Sequence, residues 1–186
     1  MIISAGLCAM GSGLPESVGA CFAGSGRRTI CLCGDGSLQF NIQELQTVLH
    51  HRLPVKIFVF NNQGYLSIRH TQEGFLGNNF VGSAQNGGLS LPDFLKVARA
   101  YGMKAEQIKQ PKGLAKKIRK VLQSSGPGLC EIMVSPDQSV SPRQGFDRTA
   151  EGTFKPRPLE DMYRFLEREE FKQAMTIAPW AGKRSS

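Results

Sequence analysis

Several features are missing from this chain, and each absence removes a class of function. The 186 residues contain no run of about 18 apolar residues, so no segment is expected to cross a bilayer as a helix. The opening Met1-Ile-Ile-Ser-Ala-Gly-Leu-Cys8 has no basic stretch, which argues against a secretory leader. Histidine is scarce: His50, His51 and His70 have no partner at metal-ligand spacing, so a structural zinc site is not expected. The five cysteines are an odd number without a C-x-x-C pair; Cys31 and Cys33 share one face of an apolar run and read as buried, reduced thiols. Neither an internal repeat nor a low-complexity tract is present. With 20% charged residues, 21 glycines and 10 prolines, the composition is that of an ordinary globular chain rather than a disordered or collagen-like one. A soluble, cytoplasmic protein with one real core is the expectation.

Two phosphate-binding signatures also fail. After Gly34-Asp35-Gly36 a dinucleotide fingerprint would require glycine at position 39, where Gln39 stands. Gly19 and Gly24 have the gap of a Walker loop, but Ser25 occupies the lysine position. The formal charge of +8 raises nucleic-acid binding as an alternative. Much of the excess lies in Lys104, Lys109, Lys112, Lys116, Lys117, Arg119 and Lys120, with more near the C-terminus. Leu114, Ile118, Val121 and Leu122 fall at helical spacing among them, so the lysines form the solvated side of an amphipathic helix and no nucleic-acid partner is expected.

What is present alternates between strand and helix patterns. Leu14, Val18 and Phe22 predict a first helix, and Thr29–Cys33 a short buried strand. Ile42, Leu45, Val48 and Leu49 mark a helix with Asn41 as N-cap and Glu44 completing a capping box. Val55–Phe60 is the next strand, followed by the turn-forming Asn61-Asn62-Gln63-Gly64. Residues 66–90, rich in Gly, Asn, Ser and Gln, predict a long mobile loop. Helices are then expected over 91–101 and 112–123, and strands over 104–108 and 129–134. Such alternation predicts an α/β fold, doubly wound, with a mainly parallel sheet and helices on both faces. It occupies residues 1–140, and residues 141–186 form a C-terminal tail in which Met162, Phe165, Leu166 and Phe171 predict one docking helix.

In open sheets of this kind ligands sit beyond the carboxyl ends of the strands, which directs attention to two junctions. Gly34-Asp35-Gly36-Ser37 leaves a buried strand and enters a helix, where main-chain N–H groups can receive an anion. Asp35 would repel that anion unless a cation lay between them. Mg2+ fits, because it prefers oxygen ligands and commonly bridges carboxylate to phosphate. The second junction offers the Asn62 amide oxygen and the Gly64 carbonyl.

Gly34-Asp35-Gly36 followed by Asn61-Asn62, with Asp35 and Asn62 27 positions apart, resembles the cofactor motif of the thiamine-diphosphate-dependent enzymes. That resemblance implies that Asp35, Asn62 and the Gly64 carbonyl hold Mg2+, which anchors the cofactor's diphosphate. It also implies that Gly36 and Ser37 receive diphosphate oxygens through backbone and hydroxyl, with Gly34 and Tyr65 at the same site. Ser4-Ala-Gly-Leu-Cys-Ala-Met-Gly-Ser-Gly-Leu-Pro15 is similar to the glycine-rich segment of acetolactate-synthase-like members. There a methionine wedges under the bent cofactor and a carbonyl two residues earlier accepts the aminopyrimidine N–H; Met10 and the backbone of Cys8 match these roles. Glycine is common at the latter position, and Cys8 departs from it.

The bend, on this resemblance, lets the cofactor deprotonate itself and serve as electron sink in decarboxylating a pyruvate-like 2-keto acid, with transfer to an acceptor as a further step. The activating glutamate belongs to an N-terminal pyrimidine-binding domain or subunit, so no catalytic residue is assignable in this chain. Glu16 and Glu44 read as helix-surface or capping residues. The resemblance covers roughly residues 1–175, including Pro158-Leu-Glu-Asp-Met162, and leaves open a separate subunit or a piece of a longer enzyme. A catalytically inactive, cofactor-binding remnant is the alternative. Association with a partner chain, as a homo- or hetero-oligomer, is expected. Gly64–Arg69 and the segment to Gly88 are expected to face substrate and to close as a lid, with Arg69 or His70 against a carboxylate.

Overall fold

The computed structural model describes residues 1–4, 6–138 and 140–175, in two compact units divided between Pro136 and Asp137. The first unit opens with helix α1 (Gly13–Ala23), which buries Leu14, Ser17 and Cys21. The Ser17 hydroxyl donates to the Leu14 carbonyl at 2.7 Å, so this polar inward position is satisfied. Strand β1 (Thr29–Gly34) runs directly into the short helix α2 (Asp35–Gln39), and helix α3 (Glu44–His50) follows. Strand β2 (Val55–Asn61) leads through a turn to helix α4 (Leu66–Phe75). Helix α5 (Phe94–Ala100), strand β3 (Lys104–Ile108), helix α6 (Leu114–Gln123) and strand β4 (Gly128–Met133) complete the unit.

The sheet order is β1-β2-β4-β3 and every pairing is parallel. Period-two alternation along β2 sends Val55, Ile57 and Val59 to one face and Lys56 and Phe58 to the other. The first face packs on Leu14 and Cys21 of α1, Leu45 and Val48 of α3, and Phe94 and Ala98 of α5. The second packs Phe58, Cys130 and Ile108 under Val121 of α6, with Ile118 and Leu122 alongside. Helices thus cover both faces of a parallel sheet, the predicted α/β architecture. Lys56 is buried in the second layer, its Nζ donating to the Ser124 and Gly126 carbonyls at 2.7 and 2.5 Å and to the Ser124 hydroxyl at 2.9 Å. It thereby satisfies carbonyls just past the end of α6.

Three local expectations are corrected. Residues 66–90 are not a loop throughout: α4 fills 66–75, and a 3-10 turn spans Gln85–Gly87. The inward residues of α4 are Arg69 and Gln72, so its buried face is polar and gave no apolar periodicity. Gln72 is held at both ends, donating to the Val81 carbonyl at 3.1 Å and accepting from the Ser83 hydroxyl. Asn41 does not cap α3. The cap position is Gln43, without a side-chain bond, while Asn41 Nδ2 donates to the Gly11 carbonyl at 2.9 Å. Glu44 accepts from Thr47 within the same helix.

The second unit holds two short antiparallel ribbons rather than a helix alone. Strands β5 (Arg143–Gln144), β6 (Phe146–Arg148), β7 (Phe154–Pro156) and β8 (Met162–Tyr163) pair as β5 with β8 and β6 with β7. Helix α7 (Arg168–Ala174) closes the described residues. Met162 therefore lies in a strand and Phe165 and Leu166 precede the helix, contrary to the single-helix expectation. Arg157 covers the Phe165 ring at 4.1 Å, and Arg157 and Arg168 both donate to the buried Asp161. The part of the predicted tail beyond residue 175 lies outside the described residues.

Candidate functional site

The tips of β1 and β2 are neighbours because the two strands pair in register, Gly34 opposite Phe60. Asp35 opens α2 at the first tip and is 2% exposed. Its Oδ1 accepts from its neighbour Gly36 N–H at 2.7 Å, and its Oδ2 accepts from Gly64 N–H, on the second tip, at 3.0 Å. Burial pushes the Asp35 carboxyl above the ordinary carboxylate range, while main-chain N–H groups of Gly36, Gly64, Gln63 and Asn62 pull the other way. Among the described residues, no cationic side chain forms an ion pair with it. Beside it, Asn62 Oδ1 is buried with no hydrogen-bond partner. A buried carboxylate without a cation and a buried amide oxygen without a donor are both costly arrangements. One hard cation would relieve both, and the donor set, all oxygen, is the kind Mg2+ takes.

The second tip depends on backbone shapes that few residues adopt. Gln63 has φ +62° and Gly64 φ +144°, and a Cβ on Gly64 would collide with the Ser83 carbonyl. Tyr65 N–H donates to that same carbonyl at 3.0 Å, and the Tyr65 ring lies where a Cβ on Gly36 would point. The close approach of ring and main chain explains glycine at position 36.

The remaining predicted residues fall around this centre. Ser37 accepts the Gly11 N–H on its hydroxyl oxygen at 3.0 Å, which ties the glycine-rich segment to the first tip and leaves the hydroxyl proton for an anion. The Gly36 N–H, expected to meet a diphosphate, instead serves the Asp35 carboxylate. Met10 is 45% exposed and so is not a core residue, and Cys8 has a left-handed backbone, φ +48°. Cys8, Ser12, Gly13, Cys33, Gly34 and Ser37 line one groove, of about 850 Å3. Cys33 Sγ donates to the Phe58 carbonyl at 3.9 Å, and the adjacent Cys31 thiol together with burial pushes the Cys33 thiol above the ordinary range.

Two contributors take roles that were not legible in the sequence. Arg69 is buried, and its guanidinium donates to the Asn62, Gln63 and Pro136 carbonyls at 3.2, 3.4 and 2.8 Å. Its hydrogen bonds brace the turn from within, so the expected contact with a substrate carboxylate is not what the arrangement provides. Glu131, on β4, reaches the base of the same turn through Asn61. The one available signal was an acid standing inside the apolar run Leu129–Met133.

Comparison with known proteins identifies the family. Residues 1–132 match the family described as the thiamine pyrophosphate enzyme, C-terminal TPP binding domain. An acetolactate synthase large subunit from Cyanidium caldarium is 35% identical over 139 residues, which are 75% of this chain and 23% of the relative. Acetolactate synthase 2 of Zea mays chloroplasts is 36% identical over 143 residues, 75% of this chain and 22% of the relative. A probable large subunit from Methanococcus aeolicus is 33% identical over 138 residues, 74% and 22% of the two chains. The chain thus spans less than a quarter of the length of these relatives. The match over residues 1–132 places the chain in the thiamine pyrophosphate enzyme family, as its C-terminal TPP binding domain.

Proposed function

We propose that the chain binds thiamine diphosphate through one Mg2+ held by Asp35, the Asn62 amide oxygen and the Gly64 carbonyl. On this reading it is the cofactor-binding part of an acetolactate-synthase-like transferase that decarboxylates a pyruvate-like 2-keto acid. The observation that carries the metal is the orphaned Asn62 Oδ1 beside a buried, cation-free carboxylate. When bound, the cofactor supplies the electron sink for decarboxylation. The residues of this chain bind and orient. Asp35 and Asn62 contribute charge and oxygen to the cation, and Ser37 offers a hydroxyl proton to the diphosphate. Met10 and the Cys8 backbone support the aromatic end of the cofactor. Tyr65, packed on Gly36, fills space beside the site and limits water there.

A partner domain or subunit that supplies the activating glutamate belongs to the same proposal. Support comes from β1, which is an edge strand of the sheet with Ile30 and Leu32 exposed. An open apolar edge of this kind is what association covers. Among the described residues no helix is long and apolar enough to cross a membrane. Calorimetric titration with thiamine diphosphate, with and without Mg2+, tests the reading. Metal-dependent heat that Asp35→Ala abolishes is expected, and its absence in the parent chain overturns the metal site. Purified alone, the chain is expected to release no CO2 from a 2-keto acid, and to do so once mixed with a suitable partner domain.

A further inference from the structure

The turn that carries Asn62 and Gly64 grows out of β2, and its shape is dictated by a polar group the cofactor reading does not use. Glu131 sits in the middle strand β4, between β2 and β3, and is 4% exposed. Its register partners are Val59 on β2 and Gln107 on β3. Asn61 lies two residues beyond Val59 and so projects from the same face. Both carboxylate oxygens are used: Oε1 accepts from Asn61 Nδ2 at 2.7 Å and Oε2 from Gln107 Nε2 at 2.5 Å. Among the described residues no lysine, arginine or histidine forms an ion pair with it. A buried carboxylate satisfied only by two amides is an expensive choice where an apolar residue would pack.

Its consequence is directional. An asparagine amide has one donor end and one acceptor end. With Nδ2 held by Glu131, Asn61 must turn Oδ1 toward the chain ahead, where it accepts the Gln63 N–H at 3.0 Å. Gln63 is the left-handed residue between Asn62 and Gly64, so this bond closes the turn that sets both expected oxygens. Arg69 fixes the carbonyl side of the same turn, and Asn61 fixes its N–H side.

We propose that Glu131 is a positioning residue: through the orientation of the Asn61 amide it preorganises the Asn62–Gly64 turn for the metal. This rests on the proposed Mg2+ and thiamine diphosphate site, but its first consequence concerns the ligand-free chain. Glu131→Leu removes both acceptors at nearly constant size and leaves Asn61 Nδ2 unpaired, so nothing then fixes the orientation of that amide. A flipped Asn61 presents Nδ2 to the Gln63 N–H and opens the turn. Exchanging the partners, Gln107→Glu with Glu131→Gln, restores the pattern, because residue 131 again accepts from Asn61 while donating to the new carboxylate.

The test is amide hydrogen exchange on the full chain without ligand, together with Mg2+ titration in the presence of thiamine diphosphate. In Glu131→Leu the Gln63 amide is expected to exchange about tenfold faster or more, the scale of a lost bond in a charged network. The amides of Ile57 and Val59 within β2 should stay as protected as in the parent. Apparent Mg2+ affinity should fall about tenfold by the same reasoning, and the exchanged pair should recover both. Asn61→Ala supplies an independent arm that leaves Glu131 in place and should also speed Gln63 exchange. Unchanged Gln63 protection in either single variant, or a double variant no better than Glu131→Leu, overturns the proposal. Failure of the parent to bind cofactor would instead overturn the functional reading and leave the exchange result standing.

Discussion

Replacing Asn62 by leucine separates a ligand-binding oxygen from a structural one. Asn62 Oδ1 is buried and accepts no hydrogen bond, whereas its main-chain N–H helps surround Asp35 and survives the substitution. Leucine has nearly the same shape as asparagine and carries no polar atom. A buried acceptor left unsatisfied costs about 1–3 kcal/mol, and replacing it with an apolar isostere recovers part of that. The ligand-free Asn62→Leu chain should therefore be as stable as the parent or more stable, by up to about 2 kcal/mol. At roughly 2–4 °C per kcal/mol for a chain of this size, the melting temperature should rise by up to about 8 °C.

Ligand should reverse the ranking. At a concentration one hundred times Kd a ligand specific for the folded state adds about 2.7 kcal/mol. The parent should gain that increment from Mg2+ with thiamine diphosphate, and Asn62→Leu should not. Urea denaturation followed by circular dichroism, with and without the two ligands, reads both effects. A leucine variant more than about 1 kcal/mol less stable than the parent without ligand would overturn this, because Oδ1 would then be satisfied within the protein. So would a variant that keeps the ligand increment.

Gly64→Ala should cost about 2–5 kcal/mol without ligand, combining strain at φ +144° with the Cβ against the Ser83 carbonyl; urea midpoints within error of the parent would contradict this. Because burial raises the Asp35 carboxyl in the metal-free protein, its contribution favours the folded state below the ordinary carboxylate range and is lost as pH rises through its raised value. The apo stability difference between parent and Asp35→Asn should accordingly change across that window and be flat above it, as pH-resolved melting can check. Lys56→Met leaves three acceptors near the end of α6 unserved and should lose about 2–4 kcal/mol, with faster amide exchange over 120–126 as the local sign. In the second unit Arg168, then Arg157, hold the Asp161 carboxyl below its ordinary range. That stabilisation is present above the unfolded carboxylate value and is lost as pH falls through the depressed one, so limited proteolysis within 137–175 should accelerate only under acid conditions.

Much of the first unit was legible because its signals are local. Strands β1, β2 and β4 are mostly apolar runs flanked by glycine, proline or asparagine, and α6 separates its lysines from Leu114, Ile118, Val121 and Leu122 within single turns. The segment at 66–75 was not legible, since a helix that turns Arg69 and Gln72 inward looks polar throughout. Asn41 misled for a related reason. Capping is the local use of an asparagine before a helix, but here a carbonyl 30 residues away in sequence, Gly11, takes its amide. The tail showed its aromatic residues but not its ribbons, because strands of two or three residues carry no periodicity.

The order of residues alone determined that Asp35 and Asn62 would each stand at the end of a strand, since apolar runs and the glycines and asparagines that break them are read over a few positions. Whether the two ends meet depended on strand order. Only the pairing of β1 with β2 in register sets the Gly64 N–H 3.0 Å from the Asp35 carboxylate. Tertiary structure likewise decided that Arg69 braces a turn and that Glu131 steers an amide two strands away from Gln107's. Those roles arise from burial, which makes every unpaired polar atom costly, and burial belongs to the packed sheet rather than to any stretch of chain.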